Sequence, residues 1–121
     1  MTRKIRLAGL LVPMLVSAAI GSRAVDAQDA PRKIEITAKR FNYEPSEITL
    51  KKGQPVALVI TSKDVSHGLR IRELNLNAKI PKGGSTELDF TPNNAGDFIG
   101  HCSVFCGSGH GGMMLKFHVV E

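Results

Sequence analysis

From residue 33 onward, polar and apolar positions alternate in short runs separated by turn residues. Lys33-Ile34-Glu35-Ile36-Thr37 places an apolar side chain at every second position, the period of a half-buried strand. Ser46-Glu47-Ile48-Thr49-Leu50 repeats the pattern and stops at Lys52-Gly53, and Leu69-Arg70-Ile71-Arg72 alternates again. In Ser85-Thr86-Glu87-Leu88-Asp89-Phe90, one face takes Thr86, Leu88 and Phe90 and the other takes the acids. Val56-Ala57-Leu58-Val59-Ile60 is continuously apolar and β-branched, which predicts a strand buried on both faces. Phe41-Asn42-Tyr43 precedes the turn signal Glu44-Pro45, while Asp97-Phe98-Ile99 and Met114 to Val120 complete the set. Leu74 to Pro81 reads as the one irregular connection, with room for a helical turn. Seven or eight short strands without a useful helical stretch predict an all-β sandwich or barrel of two antiparallel sheets. No internal repeat or domain boundary interrupts residues 33–121, with residues 28–32 as a polar lead-in.

The first 27 residues follow a different pattern. Thr2-Arg3-Lys4-Ile5-Arg6 is a basic start, Leu7 to Gly21 an apolar run containing Pro13, and Val25-Asp26-Ala27 offers small residues at cleavage positions. The run is shorter than the roughly 20 residues of a spanning helix. It predicts a secretory signal cleaved after Ala27, with Ala24 as a second site and an uncleaved anchor as the alternative. Either way the folded part is expected outside the cytoplasm: periplasmic or secreted if cleaved, at the periplasmic face of a membrane if anchored.

Composition narrows the function classes. With 121 residues, 42% hydrophobic and 22% charged, the chain suits one globular domain. Residues 1–27 hold four bases against Asp26 alone, so the formal charge of +5 falls to +2 for residues 28–121. The remaining bases are interleaved with acids, as on solvated strand faces, and give no support to nucleic-acid binding.

The chemistry concentrates in His101-Cys102-Ser103-Val104-Phe105-Cys106-Gly107-Ser108-Gly109-His110-Gly111-Gly112-Met113-Met114. These residues contain both cysteines, two of the four histidines and two of the four methionines, with four glycines to let the backbone turn. Thiolate, imidazole and thioether together suit copper best among the common metals. Calcium and magnesium want oxygen, and an iron–sulfur cluster wants more than two thiolates. His67, in Asp64-Val65-Ser66-His67-Gly68, is the candidate distant donor that closes the site. A Cys102–Cys106 disulfide, a mononuclear copper site using one cysteine, and a zinc site of two Cys and two His remain open on spacing alone.

His67 followed at a distance by Cys102-x3-Cys106-x3-His110-x2-Met113 closely resembles the binuclear copper (CuA) domain of cytochrome c oxidase subunit II and nitrous oxide reductase. The resemblance extends from about Ile34 to Glu121 and implies a cupredoxin-like Greek-key β-sandwich. It implies Cys102 and Cys106 as thiolates bridging two coppers, His67 and His110 as terminal ligands on different coppers, Met113 as a weak axial ligand, and the Val104 carbonyl as the remaining weak ligand. Val104 occupies a position that is often acidic in respiratory subunits. The chain also has no Trp for a cytochrome c docking patch, and no spanning helices precede the copper domain. These departures point to a free-standing periplasmic relative.

The resemblance implies one-electron transfer with a redox partner such as a c-type cytochrome or a terminal oxidase or reductase. Copper delivery to such an enzyme under assembly is the alternative, as is membership of a terminal oxidase through an uncleaved anchor. No Ser-His-Asp arrangement, paired carboxylates or phosphate-cradling loop suggests independent catalysis. Around the motif, His101 is expected on the face opposite Cys102, His118 toward solvent, and Met114 in packing, although it could exchange roles with Met113. Phe105 is expected as an apolar shield over the metal, and Asp64 as a turn residue.

Overall fold

Each alternating run does form a strand. The computed structural model describes residues 30–121 and, ahead of them, Gly9 alone, so the signal segment and cleavage site read in residues 1–27 lie outside the described residues. Nine strands follow one another: β1 (Arg32–Lys39), β2 (Asn42–Glu44), β3 (Glu47–Lys51), β4 (Val56–Ser62), β5 (His67–Ile71), β6 (Leu76–Ile80), β7 (Ser85–Phe90), β8 (Gly96–His101) and β9 (Met114–Val120). Two short 3₁₀ turns, Arg72–Leu74 and His110–Gly112, are the helical elements among the described residues.

The strands form two sheets, in the orders β2-β1-β4-β7 and β3-β9-β8-β5-β6. They are mixed rather than purely antiparallel, because β1 runs parallel to β4 and β3 runs parallel to β9. The chain repeatedly crosses between sheets, so strands adjacent in sequence are often not neighbours in space. Period-two alternation is the same whichever way the neighbouring strand runs.

Two other expectations are revised. Leu74 to Pro81 is mostly strand: the 3₁₀ turn ends at Asn75 in the left-handed region (φ 53°), and Leu76-Asn77-Ala78-Lys79-Ile80 then pairs antiparallel with β5. β4 is fully buried on one face only. Val56, Leu58 and Ile60 enter the core, whereas Ala57 and Val59 are half-buried between the charged pairs Lys33/Asp89 and Glu35/Glu87 on the flanking strands. The long stems of such residues shade apolar neighbours without sealing them.

Inward-facing Ile36, Leu50, Leu58, Ile60, Leu69, Ile71, Leu115 and Phe117 join the sheets, and Phe117 packs on Phe90 with ring centroids 5.8 Å apart. Burying each such side chain contributes roughly 1.5–3 kcal/mol. The sandwich thereby holds the start of β5, the end of β8 and the start of β9 side by side at one end, where Cys102, Cys106, Met113 and His67 continue the core.

Candidate metal centre

The β8–β9 loop and the first residue of β5 form the site. Cys102 follows β8 directly, and its amide donates to the Met113 carbonyl at 3.2 Å, which closes the loop at its base. Inside, the His110 amide donates to the Gly107 carbonyl and the Met113 amide to the His110 carbonyl, at 3.2 and 3.3 Å. These contacts fold the 3₁₀ turn and swing His110 and Met113 back toward the cysteines. Gly107 has φ 138°, a conformation that L side chains rarely adopt, and this is where the loop reverses.

The soft donor atoms converge. Cys102 Sγ lies 3.8 Å from Cys106 Sγ and 4.0 Å from His67 Nδ1, while Cys106 Sγ lies 3.7 Å from His110 Nδ1 and 3.8 Å from Met113 Sδ. The Cys102 thiol donates to the Val104 carbonyl at 3.1 Å. The six residues singled out in the sequence therefore form one run of neighbouring donors: the ligand atoms of His67, Cys102 and Cys106 lie within 4.8 Å of one another, His110 and Met113 adjoin Cys106, and the Val104 carbonyl adjoins Cys102. His67 and Met113 are fully buried, Cys102 and Cys106 nearly so, and His110 half-buried toward solvent.

The donor set fits a soft metal. Two thiolates sharing a tetrahedral ion at metal–sulfur distances of about 2.3 Å would stand about 3.8 Å apart, the separation found here. Both cysteines are free. Burial pushes the Cys106 thiol up to about 11, with Cys102 and Asp64 adding to the rise and the Arg40 guanidinium opposing it. A soft cation that displaces the thiol protons relieves this cost.

Sequence reasoning missed the residues that set the orientation of the donors. Asp64 is a turn residue, as expected, because its Oδ1 accepts from the Val65 amide at 2.6 Å. It also accepts from His67 Nε2 at 2.7 Å, and its Oδ2 accepts from the Arg40 amide at 2.8 Å. Burial would raise this carboxyl, but the Arg40 amide, the His67 ring and the Val65 amide together hold it down to about 2. An ionised carboxylate can only accept, so the His67 proton is on Nε2 and the Nδ1 lone pair faces Cys102. The spacing Asp64-x2-His67 ahead of a strand was the available signal. Asp64→Ala is expected to weaken copper affinity 10–100-fold, measured by competition with a chromogenic Cu(I) chelator; an unchanged affinity would show that the carboxylate does not serve the site.

A second support comes from the β1–β2 connection. Arg40 Nε donates to the Cys106 carbonyl at 2.9 Å, and the Phe41 ring lies so close to the loop that a Cβ on Gly109 or Gly107 would come within 2.5 or 2.9 Å of it. The Tyr43 hydroxyl, buried in the core, donates to the Gly68 carbonyl beside His67. Burial, with the nearby Cys102 thiol adding to it, raises the Tyr43 phenol far above its usual value. These contacts join positions more than twenty residues apart, and nothing local in the sequence announces them.

Of the flanking residues, His101 is exposed opposite Cys102, as expected, and Met114 is 46% exposed, while Met113 is the methionine turned inward. His118 is half-buried, and its Nδ1 donates to Asp97 Oδ1 at 2.7 Å. Phe105 does not cover the donors: it is 78% exposed, with its ring centroid 5.6 Å from that of His110. The loop turns its side chain outward, and it flanks the half-buried histidine.

A family model described as the cupredoxin-like domain matches residues 9–114. The sequence is similar to cytochrome c oxidase subunit 2 of Thermus thermophilus, 30% identical over 88 residues that make up 73% of this chain and 65% of that protein. The chain thus spans less than two thirds of that relative's length. The fold is similar to the periplasmic domain of subunit II of cytochrome oxidase of Bradyrhizobium japonicum, with a TM-score of 0.69, 20% identity, and coverage of 77% of this chain and 86% of that one. A chain of a heme-copper terminal oxidase dimer is also similar, with a TM-score of 0.66 and 28% identity over 74% of this chain and 65% of that one. These findings agree with the resemblance read from the cysteine loop.

Proposed function

The chain belongs to the cupredoxin-like domain family, and from that premise we propose that it carries a binuclear CuA-like copper centre and transfers single electrons. The observation that carries the reading is the convergence of two free thiols, two imidazoles and one thioether, with neighbouring donor atoms 3.7–4.0 Å apart, at the end of a rigid sandwich. Cys102 and Cys106 would bridge the metals, His67 and His110 would each hold one, and Met113 and the Val104 carbonyl would be the weak ligands. When bound, the copper would supply a one-electron redox couple held by these residues.

The protein's own part is to keep these donors still and dry. Asp64 fixes the His67 tautomer, Arg40 anchors the Cys106 carbonyl, and the core packs around Met113. A scaffold that holds its donors in one arrangement in both oxidation states minimises the rearrangement that accompanies electron transfer. His110, half-buried beside exposed Phe105, gives the site an edge toward solvent. We place the domain in the periplasm after cleavage behind Ala27, with a c-type cytochrome or a terminal oxidase or reductase as redox partner. The similarity to oxidase subunit 2 supports this reading.

The test is copper stoichiometry with electron paramagnetic resonance on the copper-loaded protein. Two coppers per chain, with hyperfine structure from one electron shared over two nuclei, is the expected result. One copper with one-nucleus structure would overturn the binuclear reading, and ready surrender of copper to an apo oxidase would favour delivery over relay. Met113→Leu is expected to retain both coppers, because Leu has nearly the same volume and an axial thioether tunes more than it holds. Its reduction potential should shift; loss of all copper would show that Met113 is a principal ligand.

A further inference from the structure

The outer face of the five-stranded sheet changes character toward the metal end. At the far end, His118 is held between Asp97 and Glu47, at 2.7 and 3.8 Å. Toward the loop, Arg70, His101 and Met114 lie side by side on β5, β8 and β9, with Ile99 and Lys116 paired in the next row. Arg70 and Arg72 are exposed, and neither has a carboxylate within ion-pair distance among the described residues. On the neighbouring strands β8 and β9, to one side of the two arginines, Ile99 and Met114 are 44% and 46% exposed. A groove of about 700 Å³ runs from Arg72 past Ile99 and His101 to Cys102, with Glu73 and Asp97 also on its walls.

A sheet face that sets Ile99 and Met114 beside two arginines on one flank and Lys116 in the same rows has the composition of a protein interface. Arginine without an intramolecular partner is suited to bidentate contact with carboxylates. The face also has a direct link to the centre, because His101 and Met114 each precede or follow by one peptide bond an inward donor, Cys102 and Met113. We propose that this end of the sheet face docks an acidic redox protein, one presenting carboxylates around an apolar patch. The proposal rests on the electron-transfer reading for its purpose, while the binding itself can be tested without copper.

Two forms of one haem protein provide the probes: basic cytochrome c, and the same cytochrome with its lysines succinylated and therefore acidic. Binding to the immobilised full chain, apo and copper-loaded, is measured by surface plasmon resonance at low and high salt. Electron transfer to the loaded protein is followed by stopped flow. The acidic form is expected to bind more tightly and react at least about tenfold faster at low salt, with the advantage lost at high salt. Arg70→Glu/Arg72→Glu should abolish or reverse that preference. Lys33→Glu/Lys52→Glu, with the same change in net charge at the other end of the sandwich, should leave most of it.

Equal effects of the two double variants, or a preference for the basic cytochrome, would overturn the docking face. So would loss of binding to phosphatidylglycerol vesicles in Arg70→Glu/Arg72→Glu with unchanged binding of the acidic cytochrome, which would assign the face to a membrane surface. If the loaded protein binds the acidic cytochrome through this face but exchanges no electrons with either form or with dithionite, the electron-transfer reading fails and the docking face stands.

Discussion

Cys106→Ser should hold copper to at most one per chain and give no signal of an electron shared over two nuclei, if the parent protein binds the two coppers proposed above. Cys106 Sγ joins the two halves of the site, within 3.7–3.8 Å of Cys102 Sγ, His110 Nδ1 and Met113 Sδ. A serine oxygen at that position is a hard, neutral hydroxyl at working pH and cannot act as a soft bridging anion. His67 and Cys102 would remain in contact on one side, with His110 and Met113 left on the other. The fold should survive, because Ser is nearly isosteric with Cys and the cost of a buried hydroxyl is about 1–3 kcal/mol when it is poorly paired. Circular dichroism separates the two effects: a folded variant with one copper or none supports the bridge, whereas a folded variant with two coppers and an unchanged signal refutes it.

The sequence made the donor residues legible because they are local. Cys102 to Met113 is a single loop, so these donors are close in sequence before the fold brings them close in space. His67 was legible as the only remaining histidine at a strand start ahead of the loop, at the place where a sandwich can bring the two together. The strands were legible through alternation in β1, β3, β5 and β7. β6 carried the same alternation at Leu76, Ala78 and Ile80, but its polar Asn77 and Lys79 and the preceding Asn75 read as loop. Parallel pairing of β1 with β4 was not legible, since a strand's pattern records which face is buried and not the direction of its neighbour. Arg40, Phe41 and Tyr43 reach the site only through the tertiary fold. Each looks locally like part of a connection or a short strand, and its role follows from a contact with Cys106, the glycine loop or Gly68. Phe105 misled for the opposite reason: its place inside the loop suggested cover, but the backbone turns its side chain to solvent.

Copper-free protein exposed to a mild thiol oxidant should lose both free thiols and, with them, all capacity to take up copper until it is reduced. The sulfurs are already 3.8 Å apart, so they need to approach by less than 2 Å to reach the roughly 2.05 Å of a disulfide. Four glycines in the loop make such a movement inexpensive. The oxidant takes two electrons and two protons as the Cys102–Cys106 bond forms, leaving neither sulfur as a thiolate donor. Burial, which holds Cys106 up near 11, slows the attack by keeping it a thiol, but does not change its end point. Thiol titration before and after oxidation, paired with copper uptake, tests the point directly. Loss of two thiols and of all copper binding, both restored by a dithiol reductant, is expected. Copper should protect both cysteines when it is bound first. Full copper uptake by the oxidised protein would mean that the cysteines are not the principal donors, and uptake lost without loss of thiols would place the oxidative damage elsewhere, with Met113 as the next residue to examine.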